Sequence, residues 1–369
     1  MKVIVIGCTH AGTAAIVNIS KLHPSAEITV YERNDTISFL SCGIALYVGG
    51  TVKDPQSLFY SSPEKLAELG VKTKMKHDVL KIDSSNQSIE VKNLDTGDSF
   101  IDTYDKLIVT TGSWPVLPEI NGINHPRILL SKNYNHSNAI IEAAKSAKRI
   151  AVIGAGYIGV ELVEAFQENG KKVLLIDAHS RVMGRYLDEE FTKIAQEALT
   201  NHGIEVVLGE CVSKFEENPD QSLKITTTGG NYTVDLIILC IGFKPNTELL
   251  KGQVDMMPNG AILVDDYMLT SNPQIFAAGD SCAIKFNPTG KHQYLPLATN
   301  AVRMGTLVAR NLVSPTMRYM GTQGTSGIKI FEHNIASTGL TLESALCEGL
   351  EAEAVSIKEN NRPEFMPTY

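Results

Sequence analysis

Nothing in this chain of 369 residues approaches the run of roughly 18 apolar residues that a membrane-spanning helix requires. The best local stretch, Leu236 to Phe243, is far shorter. Positive charge is also in short supply. The 33 Lys and Arg stand against 41 Asp and Glu, a net charge of −8 with a pI near 5.6. That balance argues against a nucleic-acid binder, which would carry a basic face. An export signal is missing as well, because the apolar stretch after Lys2 is broken at Gly7 and again at Gly12. Val5-Ile6-Gly7-Cys8 imitates a lipoprotein cleavage box, but the apolar run before it is too short to direct export. The expectation is a soluble, cytoplasmic protein. Its six cysteines (Cys8, Cys42, Cys211, Cys240, Cys282 and Cys347) include no CxxC pair and no metal-ligand spacing. A disulfide scaffold and a metal centre are therefore not expected. Cys211 and Cys240, each inside an apolar run, are read as small buried hydrophobes.

With 43% apolar and 20% charged residues, the chain can bury a sizeable core. Its length suits two to three domains at roughly 150 residues each. An internal duplication is the most informative feature. The segment from Lys2 reads as a strand (VIVIG), a Gly-containing turn, a helix over Thr13 to Leu22, and a strand ending at Glu32. The segment from Arg149 repeats this with IAVIG, the turn GAGYIG, a helix over Val160 to Asn169, and a strand ending at Asp177. Each copy is a β-turn-α-β unit closed by an acid, 25 residues after its first glycine in one copy and 23 in the other. Two copies imply two nucleotide sites. A Pro- and Gly-rich loop from Ser113 to Gly122 reads as a crossing between domains. SGIKIFEHNIASTG alternates as strands do, and the final ENNRPEFMPTY reads as a connection.

Gly154-x-Gly156-x-x-Gly159 follows a strand and opens a helix, the context that gives this pattern its meaning. The first glycine permits the tight turn, the second lets backbone approach a diphosphate, and the third lets helix pack on strand. The helix N-terminus then faces the phosphates. Asp177 is positioned to bind an adenosine ribose and repel a 2′-phosphate, although Arg181 keeps a phosphorylated cofactor open. The first copy is looser, Gly7-x-Thr9-x-x-Gly12, and is supported by Glu32 and by the strand-turn segments LIVTTG and IFAAGD. Asp280 is read as a ligand for a polyol hydroxyl or as a structural cap. Cys42, within SFLSCGI at an expected helix start, is either a buried structural cysteine or a thiol whose pKa the helix lowers. His10 lies in the first phosphate turn, and Cys8 beside it is read as structural.

Taken together, VIVIGCTHAG, ISFLSCGIALY, YDKLIVTTGS, IGAGYIGVELVEAF, LCIGFKPNTELL, IFAAGDS and LATNAVRMG resemble the pyridine nucleotide–disulfide oxidoreductases. The likeness covers essentially the whole chain. It is strongest to the single-cysteine branch of NADH oxidases, NADH peroxidases and coenzyme A disulfide reductases, and nearest to the oxidases that form water. The resemblance implies an α/β fold with two Rossmann-like, glutathione-reductase-like domains and an incomplete C-terminal α+β interface segment. It divides the chain into a discontinuous FAD-binding domain (1–112 and 243–318), an NAD-binding domain (113–242), and the start of a truncated interface domain (319–369). FAD contacts carried over are Gly7, Cys8, Thr9, His10, Ala11, Gly12, Glu32, Cys42, Val79, Thr111, Gly112, Ser113, Lys132, Asp280, Leu297, Ala298 and Thr299. NAD contacts are Gly154, Gly156, Ile158, Gly159, Asp177, Tyr186, Gly242 and Gly327, with Tyr157 as the ring that gates the nicotinamide side of the flavin. Cys42 matches the redox cysteine, cycling between thiolate and sulfenic acid, and His10 the residue beside it. The implied substrates are NADH with O2 or peroxide. NADH peroxidase, coenzyme A disulfide reductase and a flavin-binding protein without turnover stand as alternatives to the oxidase. Relatives are homodimers, and the shortened C-terminus is expected to weaken that dimer.

Overall fold

The computed structural model describes residues 1–360 and 365–366, and in it two five-stranded parallel sheets follow one plan. The first runs Ile275–Ala277, Lys106–Val109, Lys2–Ile6, Glu27–Glu32, Lys72–Met75. The second runs Ile128–Leu130, Leu236–Leu239, Arg149–Ile153, Lys172–Asp177, Glu205–Leu208. Their central strands are almost unbroken Val and Ile, buried on both faces as a helix-covered parallel sheet requires. Each plan also carries a three-stranded antiparallel sheet inserted before the same strand of the plan, Lys106–Val109 in one copy and Leu236–Leu239 in the other. These span residues 77–103 in one copy and 212–234 in the other. The copies differ in where the fifth strand comes from: after the unit in the first, before it in the second. The chain thus crosses between units twice, and the two crossings, Ser113–Pro115 and Phe243–Pro245, pair with each other antiparallel.

Both motif helices begin earlier than their sequence patterns suggest, at His10 and at Tyr157. The glycine turns cause this. Gly7 (φ +90°) and Gly154 (φ +112°) reverse the chain so sharply that the helix starts three residues later. A Cβ on Gly7 would sit 2.5 Å from the Thr110 carbonyl oxygen, so only glycine fits there. Helix His10–Leu22 buries Ala11, Ala15, Ile16 and Ile19 against the first sheet and packs on helix Ala298–Asn311.

Residues 39–58 belong to the first unit in sequence, but Phe39, Ile44, Ala45 and Leu58 join the apolar core of the second with Val160, Val163 and Phe166. The C-terminal hairpin Ser326–Ile330 and His333–Ser337 does the same through Ile328, Ile330 and Phe331, the last stacked on His202 at 3.6 Å. The connection expected over ENNRPEFMPTY lies outside the described residues at 361–364 and 367–369. Among the described residues no helix is long and apolar enough to cross a membrane, and no cluster of side chains suits a metal ion.

The burial expected for Cys211 is not observed. Its strand ends at Leu208, Gly209 turns the chain with φ +74°, and the thiol is exposed. Cys240 follows the end of strand Leu236–Leu239, and burial pushes its thiol up to about 12. Cys8 is fully buried and likewise pushed up to about 12, as a structural cysteine would be.

Candidate functional site

The C-terminal ends of both central strands open into one cavity of about 1040 Å³. Open α/β sheets bind ligands in this position. The two acids are built in identically. Glu32, buried, accepts the backbone N–H of Cys8 at 2.9 Å and that of Asn34 at 2.9 Å. Asp177 accepts the N–H of Ala155 at 2.5 Å and that of His179 at 2.7 Å. Each carboxylate thus ties down the residue after the first glycine and shapes the phosphate turn. Desolvation pushes the Glu32 carboxyl up, and the N–H donors of Asn34 and Cys8 pull it back.

The duplicated turns differ at their second position. A Cβ on Gly156 would meet nothing nearer than Tyr186 at 4.0 Å, so the protein itself leaves this place open toward the cavity. In the first copy Thr9 fills it, and the turn keeps its shape. Gly12 and Gly159 cannot be replaced so freely, since a Cβ there would run into the carbonyls of Gly7 and Gly154.

Of the residues anticipated as ligands, Gly7 to Ala11, Glu32, Cys42, Val79, Thr111 to Ser113, Lys132, Gly156 to Ile158, Tyr186, Gly242, Asp280, Leu297, Ala298 and Gly327 line the cavity. Gly12, Gly154, Gly159, Asp177 and Thr299 do not reach its wall. The three glycines shape the backbone behind it, and Asp177 stands at the rim of the second turn.

Asp280 is neither isolated nor a simple cap. It accepts the Ser113 hydroxyl at 2.9 Å and lies 3.5 Å from Lys132 Nζ, which itself donates to Ser113 Oγ at 2.8 Å. Burial pushes the Lys132 ammonium down while Asp280 holds it up. The ammonium also sits 4.5 Å from the centre of the Phe243 ring. The Tyr157 ring lies tilted by 54° against that of Tyr186, centres 4.6 Å apart, and its hydroxyl shares a hydrogen bond of 2.7 Å with Ser326.

Cys42 sits in the 3-10 turn Ser41–Gly43 that leads into helix Ile44–Val48, with its side chain open to the cavity. The expected lowering of its pKa is not found. Desolvation pushes the thiol up and outweighs the backbone N–H that pulls it down, and the negative charge of Glu161 adds to the rise. His10 opens its helix with Nε2 buried and unpartnered, and burial pushes its pKa down.

Many residues of this wall carry no signal of their own in the sequence, Ser326 and Glu161 among them. Glu161 lies one helical turn beyond Tyr157, so the spacing that places both on one face was available in the sequence. What buries it was not.

Residues 1–305 match the pyridine nucleotide-disulphide oxidoreductase family. An NADH oxidase of Enterococcus faecalis is 55% identical over 369 residues, covering 100% of this chain and 83% of that protein. One of Streptococcus pyogenes is 40% identical, covering 99% and 82%. Among solved structures, the water-forming NADH oxidase from Lactobacillus brevis bound to NADH superposes with a TM-score of 0.98 at 56% identity, covering 100% of this chain and 82% of that one.

Proposed function

The chain belongs to the pyridine nucleotide-disulphide oxidoreductase family, and we propose that within it the protein is an FAD-dependent NADH oxidase that reduces O2 to water with Cys42 as its sulfur centre. One observation carries this reading: a single cavity joins both acid-closed glycine turns and has Cys42 in its wall.

The residues present fit FAD at the first turn. The buried hydrogen-bonding atoms His10 Nε2 and Ser131 Oγ lack partners within the protein and belong to cavity-lining residues, as a polar ligand requires. The backbone of Gly7 to Ala11, at a helix N-terminus, would take the diphosphate. Glu32 would hold the adenosine ribose, and Asp280 with Lys132 the polyol. Bound there, FAD supplies two-electron exchange between NADH and oxygen. NADH would dock on the second turn, with Gly156 giving its diphosphate close approach and Asp177 disfavouring a 2′-phosphate. Tyr157, held between Tyr186 and Ser326, covers the approach to the first site until the nicotinamide displaces it.

Cys42 takes the reaction past peroxide. Its sulfur attacks one oxygen of hydrogen peroxide, forming the S–O bond as the O–O bond breaks, which releases one water and leaves a sulfenic acid. A second NADH and a proton return the thiol and release the second water. In total, two NADH, two protons and one O2 give two NAD+ and two waters. The test is a sealed oxygen electrode with a peroxide assay. About one half O2 per NADH with no accumulated peroxide supports the oxidase. Turnover only on added peroxide or on coenzyme A disulfide reassigns the acceptor, and no turnover on any of them reduces the protein to a flavin binder.

A further inference from the structure

Arg181 is the residue that the sequence offered for a phosphorylated cofactor, and the structure engages it elsewhere. Its guanidinium pairs with Glu343 of helix Leu342–Cys347. The side chain that does meet Asp177 is His179, in the loop that follows strand Lys172–Asp177. Its Nδ1 lies 2.9 Å from Oδ1, the same oxygen that accepts its backbone N–H at 2.7 Å. The other oxygen, Oδ2, accepts the Ala155 N–H. Both carboxylate oxygens are thus engaged within the chain, and the imidazole holds an acceptor site on Oδ1 that a ribose hydroxyl would otherwise use.

An imidazole beside a carboxylate acts differently in its two charge states. Uncharged, it donates Nδ1–H and leaves the carboxylate its full negative charge. Protonated, it cancels that charge and carries a second N–H, on Nε2, that can donate to a phosphate. The His179 side chain is 54% exposed, so protons reach it from solvent. The charged groups on the neighbouring elements are committed to other partners. Arg181 and Glu343 hold each other, and Asp188 accepts the Leu342 N–H. Glu189, opening helix Glu189–Asn201, pairs with Lys193. Gly209 N–H donates to the His179 carbonyl at 2.9 Å, but the carboxyl of the next residue, Glu210, accepts the Thr227 and Tyr232 hydroxyls. Arg185 lines the cavity and keeps its charge at every working pH. Of these residue types, histidine is the one that changes charge between about pH 5 and 8.

We propose that His179 sets the choice of dinucleotide: uncharged, it leaves Asp177 to exclude a 2′-phosphate and favour NADH, and protonated, it cancels that exclusion and admits NADPH. The proposal rests on the reading of the second turn as the NADH site. Two effects of the imidazolium add. It removes the repulsion that a 2′-phosphate meets at Asp177, and its charge-assisted hydrogen bond to Oδ1 competes with the adenosine ribose of NADH. The preference for NADH is therefore widest at alkaline pH and narrows as the pH falls through the histidine range. Because the pair is partly exposed, the narrowing is about fivefold in the ratio of affinities.

The experiment measures binding and not turnover. FAD-loaded protein is titrated calorimetrically with NAD+ and with NADP+ at intervals from about pH 5.5 to about pH 8.5. The quantity read is the NADP+ dissociation constant divided by that of NAD+. A 2′-phosphate gains a proton of its own near about pH 6, a change in the ligand that the natural protein and its variants share. His179→Gln keeps a side-chain donor without a titrating charge and should show that ligand effect alone. The ratio for the natural protein should fall about fivefold further between the alkaline and the acid end. His179→Lys, charged throughout, should keep the ratio low even at the alkaline end. A His179→Gln protein whose ratio follows the natural pH profile overturns the proposal, and so does a His179→Lys protein as selective as the natural one at alkaline pH. Natural protein that binds neither dinucleotide at any pH overturns instead the reading of the second turn on which the proposal rests.

Discussion

A sulfur that completes the reduction of oxygen has to be open to small oxidants and able to be reduced again, and the thiols around the first turn divide on this point. The Cys8 sulfur is fully buried beside the Thr13 hydroxyl at 3.5 Å, whereas the Cys42 side chain is exposed in the cavity wall. Replacing Cys42 by Ser removes the oxidisable atom and little else. Cys42→Ser should therefore keep FAD and NADH, accumulate peroxide, and raise oxygen use from about one half to about one per NADH. A variant that still forms water without peroxide would show that the sulfur is not the second reduction centre. At the second turn, Asp177 is anchored by Ala155 and His179, so it cannot swing away from a 2′-phosphate. Asp177→Ser should narrow the preference for NADH over NADPH by roughly tenfold, the scale of one modest charge–charge contact. Equal use of both by the natural protein would remove this role from Asp177. These two side chains were visible in the sequence because each follows or ends a short pattern. Glu161 was not, because a carboxyl on an amphipathic helix reads as solvated until residues 39–58 are seen packed beside it.

Each phosphate turn is a strand, a glycine with positive φ, and a helix that begins at once. The backbone reversal is set by sterics and not by a ligand. Gly7→Ala puts a Cβ against the Thr110 carbonyl in a conformation that alanine adopts at a cost of about 1–3 kcal/mol. It should lower the unfolding midpoint and weaken FAD retention together, measured by thermal melt and by flavin released on gel filtration. Unchanged stability and full flavin would show that the turn relaxes around the methyl group. The elements most legible in the sequence share this property: local sterics and a run of Val and Ile specify them without help from elsewhere. The helix starts at His10 and Tyr157 were misjudged by three residues, because apolar periodicity shows only where a helix has a buried face. The exposed Cys211 shows the converse error, an apolar run continued through the turn that Gly209 makes. Lys132, Val79, Leu297 and Gly327 carry no local signal. They reach the cavity through tertiary folding, and in the sequence only resemblance pointed to them.

The two sheet units are similar in plan but not independent in energy. Residues 39–58 leave the first unit to complete the core of the second, and the crossings at Ser113–Pro115 and Phe243–Pro245 form one ribbon. Unfolding either unit would expose apolar side chains of the other. The exposed ion pairs Arg181–Glu343 and Lys291–Glu348 tie the C-terminal segment across the units, but such pairs contribute only about 0–1 kcal/mol each. The shared core is the stronger link. FAD bound in the common cavity should therefore stabilise the molecule as a whole and not one sheet alone. At a free concentration of about 100 times its dissociation constant it adds about 2.7 kcal/mol, roughly a 3–4 °C rise in the midpoint of a chain this long. Calorimetry of flavin-stripped and reloaded protein should show one transition moving as a unit. A second transition that stays in place when FAD is added would mean that the shared core does not couple the units, and that the cavity belongs energetically to the first sheet only.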